Sequence, residues 1–77
     1  MKSYRVIYHD LECTLSRIVE GCWGYEGKEY WELGITAKNV IEMERCQKLG
    51  FEYLDRGIFY LRISDYMAEK LLANYKL

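Results

Sequence analysis

Proline is absent from the 77 residues, and histidine occurs once, at His9. Any Cys–His or Ser–His catalytic pair would have to use that one imidazole. On a strand, His9 and its neighbour Asp10 would point to opposite faces, so Asp10 could not orient the ring. Cysteine occurs three times, at Cys13, Cys22 and Cys46. An odd number argues against a closed disulfide framework. Structural zinc sites bring ligands in close pairs, and only His9 and Cys13 are close enough to share one local turn. Three small buried thiols are the preferred reading.

Other absences narrow the field further. No apolar run approaches the roughly 20 residues that span a bilayer. The first residues, Met1 to Asp10, alternate like a strand and lack the pattern of a signal peptide. Neither sign of charge is in excess: 11 Lys+Arg face 12 Asp+Glu, for a net charge of -1. A protein that grips duplex phosphate usually carries a basic surplus, so duplex nucleic acid is disfavoured. Gly21, Gly24 and Gly27 flank aromatics and do not open a helix, so they do not form a phosphate loop. Acidic pairs such as Glu42/Glu44 and Glu26/Glu29 suit solvated surface better than acid–base chemistry. The expectation is a cytoplasmic chain with reduced thiols, no membrane segment, no cofactor, no metal and no catalytic centre.

What remains is an apolar and aromatic chain. Hydrophobic residues make up 51% and charged residues 30%, which is a globular composition. Eight residues are tyrosines, which can pack and still face water. The length suits one domain, residues 1–77. Such a domain buries only about 60–65% of its unfolded surface, so its core is thin.

Residues Ser3 to His9 alternate as a strand, with Tyr4, Val6 and Tyr8 on one face. Asp10 to Glu20 fits two patterns. Leu11, Leu15, Ile18 and Val19 make a helical stripe that Asp10 could cap. A strand from Cys13 to Val19, hairpinned to the first, is preferred because the following residues stay extended in character. Cys22 to Ile35 reads as a hairpin about Glu26-Gly27, with Trp31, Leu33 and Ile35 on one face and Tyr30 and Glu32 on the other. Thr36 then caps a helix from Ala37 to about Leu49, with Val40, Met43 and Cys46 on one side and Gly50 ending it. Phe51–Leu54 and Ile58–Ile63 form another hairpin around a three-residue loop, Asp55-Arg56-Gly57. Phe59, Leu61 and Ile63 face one way, Ile58, Tyr60 and Arg62 the other. Ser64 caps a last helix striped by Met67, Ala68, Leu71, Leu72 and Tyr75.

The predicted fold is α+β: an N-terminal strand, then two β-hairpin–helix units, forming an antiparallel sheet with helices packed on it. The two units echo each other at an offset of about 28 residues, with Trp31 matching Phe59, Leu33 matching Leu61 and Thr36 matching Ser64. Any two such units share this binary pattern, so common architecture does not require duplication.

The functional reading follows the tyrosines. Tyr30, Glu32, Tyr53, Ile58, Tyr60 and Arg62 are the candidate partner-binding residues, on a sheet face turned away from the apolar set. Tyrosine and arginine anchor protein interfaces. The expectation is a non-enzymatic module that binds another protein. One alternative is a single-stranded nucleic-acid binder that stacks bases on Tyr30, Tyr53 and Tyr60, although Glu32, Glu52 and Asp55 would repel the backbone. The other is a homo-oligomeric structural protein using the same face or an open strand edge. In size, acidity and lack of chemistry the chain resembles the small inhibitors that phages and mobile elements make against host defence enzymes, anti-CRISPR proteins among them. That resemblance implies an inhibitory role.

Overall fold

The computed structural model describes residues 3–20 and 28–75. Five strands and two helices follow in the order β1 (Ser3–Tyr8), β2 (Leu11–Glu20), β3 (Lys28–Thr36), α1 (Val40–Lys48), β4 (Glu52–Asp55), β5 (Ile58–Ile63) and α2 (Asp65–Tyr75). The strands form one antiparallel sheet in the order β1-β2-β3-β5-β4. The α+β expectation holds, with an N-terminal strand and antiparallel hairpins leading to helices. No described helix is long and apolar enough to cross a membrane.

Leu11–Glu20 is a strand. Leu11 and Leu15 satisfy both a period of two and a period of four, so they could not decide the matter. Pairing decides it: β2 lies between β1 and β3, with Leu15 opposite both Tyr4 and Leu33. The apolar set is Leu11, Cys13 and Leu15, each at most 2% exposed. Ile18, expected to extend a helical stripe, lies on the other side of the sheet from them.

The turn joining β1 to β2 is His9-Asp10, and both residues take positive φ, 48° and 66°. His9 is therefore in a turn and not on the strand. The β4–β5 turn is Arg56-Gly57, with φ of 51° and 79°. Two consecutive positive φ values match the twist of adjacent strands, and glycine takes them without strain. The expected three-residue loop is thus a two-residue one. Asp55 stays in β4 opposite Ile58, and a bulge between Tyr53 and Asp55 absorbs the extra residue.

The hairpin expected within Cys22–Ile35 is changed. Its first strand and its Glu26-Gly27 turn lie outside the described residues. β3 pairs with β2 on one side and β5 on the other, so β2 is its hairpin partner. Thr36 is also reassigned. It remains in β3 opposite Ile58, and the cap of α1 is Asn39. The Asn39 side chain accepts from the Glu42 N–H at 2.9 Å, while the Glu42 carboxylate accepts from the Lys38 N–H at 2.9 Å. The helix begins three residues later than expected and Val40, 66% exposed, falls off its buried side. Gly50, at φ 91°, ends α1 as expected. There the Phe51 N–H donates to the Cys46 carbonyl and the Gly50 N–H to that of Gln47. Ser64 caps α2 as expected, accepting from the Met67 N–H at 3.1 Å.

One buried cluster holds Val6, Leu11, Cys13, Leu15, Leu33, Ile35, Cys46, Phe51, Phe59, Ala68 and Leu71. Its strand members all sit on one face of the sheet, and Cys46 of α1 with Ala68 and Leu71 of α2 cover that face. Both helices therefore lie on the same side. Arg17 marks the end of this layer: it packs over the Trp31 ring at 5.1 Å and pairs with Glu29 and, at the start of α2, Asp65.

Asn39→Ala should destabilise the protein by about 0.5–2 kcal/mol in urea denaturation, whereas Thr36→Ala leaves the start of α1 intact. Comparable capping losses in both would contradict the assignment. Asp10→Gly should stabilise by about 0.5–1 kcal/mol, since it relieves a positive φ; a lower midpoint would count against the turn geometry.

The open sheet face as candidate interaction site

Alternation puts the residues that lie between the core positions of each strand on the opposite side of the sheet. These are Arg5 and Ile7 of β1, Glu12, Thr14, Ser16 and Ile18 of β2, Tyr30, Glu32, Gly34 and Thr36 of β3, and Glu52, Ile58, Tyr60 and Arg62 of β4 and β5. None of them is buried. Among the described residues no helix covers this face. A second helical layer would be needed to hide it, and both helices are on the other side.

Four of the six expected site residues meet here around one cleft. Tyr30, Glu32, Tyr60 and Arg62 line it together with Glu52 and Gly50, and its volume is about 400 Å³. Glu32 stands opposite Arg62 and Gly34 opposite Tyr60 across the β3–β5 ladder. Ile58 is half-buried on the same face, two residues from Tyr60. Tyr53 is a correction. Its ring meets that of the fully buried Phe59 at 5.2 Å on the helical side, and its hydroxyl accepts from the Gly57 N–H at 3.5 Å. It pairs with Phe59 in the ladder, so alternation sends it away from Tyr60.

The interactions inside the cleft are specific. The Tyr60 hydroxyl donates to a Glu52 carboxylate oxygen at 2.8 Å. That bond, and then the charge of Glu52, raise the Tyr60 pKa above the ordinary phenol value. Arg62 lies over the Tyr30 ring, its guanidinium carbon 4.1 Å from the centroid. Glu32 is half-buried, and desolvation raises its pKa. No described residue gives it a hydrogen bond or an ion pair.

A second cleft of about 400 Å³ shares the face, lined by Arg5, Glu12, Thr14, Gly34, Thr36 and Lys38 among others. Gly34 lines this second cleft and stands opposite Tyr60 of the first across the ladder. A Cβ there would meet nothing within 4 Å, and its φ is not in the left-handed region. Neither backbone nor packing demands glycine at this central-strand position, where it weakens the sheet. The missing side chain opens the surface instead.

Sequence reasoning missed Glu52 and Gly34 as members of the site. Glu52 was legible only as a carboxylate among tyrosines, because its place beside Tyr60 depends on the β4–β5 register. It also missed exposed Val40, Ile41 and Leu54 at the joined end of α1 and the last hairpin, where the Ala37 N–H donates to the Gly57 carbonyl.

The residues weighed as nucleophiles or ligands lie elsewhere. His9 is exposed in its turn, Cys13 and Cys46 are in the core, and Cys22 is outside the described residues. Among the described residues no three His, Cys, Asp or Glu side chains come together as a metal site. Burial pushes the Cys13 thiol up to about 12, with the Cys46 thiol and Glu42 acting in the same direction. Burial also raises Cys46. Comparison of the chain with protein-family models, with curated proteins and with solved structures finds no match in any of the three.

The Cys13 shift fixes a pH dependence. Its thiol stays protonated in the native state to about 12, while in the unfolded chain it ionises near 9.0. Its contribution is complete below that lower value and is lost as pH rises between the two, by at most about 1.4 kcal/mol per pH unit. Urea midpoints should therefore fall between pH 9 and pH 11 in the wild type and fall less in Cys13→Ala. Parallel declines would contradict it.

Proposed function

We propose that this chain is a small non-enzymatic module that binds another protein through its open sheet face. The observation that carries the reading is the side of the sheet that no described helix covers, where Tyr30 and Tyr60 line one cleft, Gly34 lines another, and Ile58 lies half-buried on the same face. Tyrosine supplies large, rigid contact area at low entropic cost, and such residues dominate interface energetics. Glycine at an unstrained central-strand position lets another backbone approach. The buried, protonated thiols and the exposed turn histidine support a binding role over nucleophilic chemistry.

The narrower form of the proposal is an anti-CRISPR-like inhibitor, from a phage or mobile element, that acts on a host defence enzyme. Its support is the resemblance in size, acidity and lack of chemistry. A cytoplasmic setting belongs to the same proposal and suits the free buried thiols.

A second reading has one observation in its favour. Tyr30 and Tyr60 stand on adjacent central strands, as bases stacked on a sheet would require. The clefts of this face carry Glu12, Glu32 and Glu52 against Arg5, Arg62 and Lys38, so they lack the basic excess that a phosphate backbone calls for. Titration with labelled single-stranded oligonucleotides at low salt should give no binding. Self-association on this face is read from light scattering at high concentration.

Affinity capture from host lysate should lose the partner in Tyr30→Ala and Tyr60→Ala, with binding weakened roughly tenfold or more. Tyr66→Ala, exposed on α2, should retain it. Gly34→Thr should lose the partner while keeping or raising thermal stability, because it fills the open point of the face and improves β-propensity. Unchanged capture in both tyrosine variants would contradict the assigned surface.

A further inference from the structure

We infer that the cleft between Glu32 and Glu52 receives a basic side chain, lysine or arginine, from the bound partner. The inference rests on the protein-binding reading and names the chemistry of its contact.

The charges in the cleft are not balanced locally. Elsewhere on the described surface Arg5 pairs with Glu12, and Arg17 with Glu29 and Asp65, while Arg45 and Arg56 form no ion pair among the described residues. Arg62 is directly across the ladder from Glu32, yet it forms no ion pair with it and lies on Tyr30. Among the described residues Glu32 is thus left half-buried without a partner, a costly state that an arriving cation would relieve. Glu52 is held in place by the Tyr60 hydroxyl, so one carboxylate is already oriented.

The shape and walls suit the same occupant. The cleft volume of about 400 Å³ takes the stem of a long basic side chain. Tyr60 and Tyr30 offer aromatic surface for its methylenes and charge. β4 pairs only with Ile58–Tyr60, and Gly50 beside the cleft has no side chain, so the cleft is open at the sheet edge. An acidic side chain would meet two carboxylates against a single cation, Arg62, which already lies on Tyr30. An apolar one would deepen the burial of Glu32 without pairing it.

The test is an amide-resolved NMR titration with blocked tripeptide amides carrying central lysine, arginine, norleucine or glutamate. The lysine and arginine peptides should produce saturable shifts at Glu32, Glu52 and Tyr60, and the other two should not. Glu32→Gln and Glu52→Gln should each weaken binding roughly fivefold or more. Glu32→Gln should melt no lower than wild type, which separates lost binding from lost folding. Equal shifts from norleucine, or no saturable shift at this cleft, would overturn the inference, as would unchanged affinity in both glutamine variants. If that happens while Tyr60→Ala still loses the captured partner, the protein-binding reading stands and the basic contact alone falls.

Discussion

A five-stranded sheet has two faces, and this chain has apolar side chains for one. Leu15, Leu33 and Leu61 form a row across three central strands, beside Phe59, and the two helices close over them. At about 25 cal/mol per Å², that burial is the main favourable term holding the sheet and helices together. Every other feature depends on this one-sided allocation. It puts Cys13 and Cys46 in the core, fixes which way Tyr60 points, and leaves the far side of the sheet without a layer among the described residues.

The bare face is not a neutral remainder. A sheet facing only water would be expected to alternate simple polar and charged residues there. This one carries tyrosines on central strands, a half-buried carboxylate without a partner among the described residues, and a glycine at which a Cβ would meet nothing within 4 Å. Glu32 and Gly34 each cost stability where they stand, by desolvation and by weakened strand propensity. Such departures from local consistency gather where a surface serves binding. The helical side shows the opposite economy: Arg17 has its cation over Trp31 and two carboxylates for partners, and it seals the edge of the core.

Much of this was legible in the sequence where one local signal had a single meaning. The β5–α2 segment is the clearest case, with its alternating strand, the Ser64 cap and a helical stripe through Ala68 and Leu71. Leu11 and Leu15 were ambiguous because both periods place them on one face, and only pairing with β1 and β3 resolves it. Thr36 looked like a cap because a hydroxyl followed a strand. The ladder with β5 keeps it extended, and Asn39, three residues on, is free to turn its side chain back to the helix. Tyr53 was grouped with Tyr60 because the face of a short strand depends on a register that a two-residue turn and a bulge set together. Which side of the sheet each helix covers could not be read from either helical stripe, since a stripe shows that a face is buried and not against what.

The central claim is that the open sheet face is where the protein does its work. Hydroxyl-radical footprinting of the protein, free and in complex with its captured partner, measures this directly at the tyrosine rings. The expected result is protection of Tyr30 and Tyr60 on binding, with Tyr66 on the opposite side unchanged. Protection of Tyr66 with Tyr30 and Tyr60 still reactive would contradict it and place the interface on the helices.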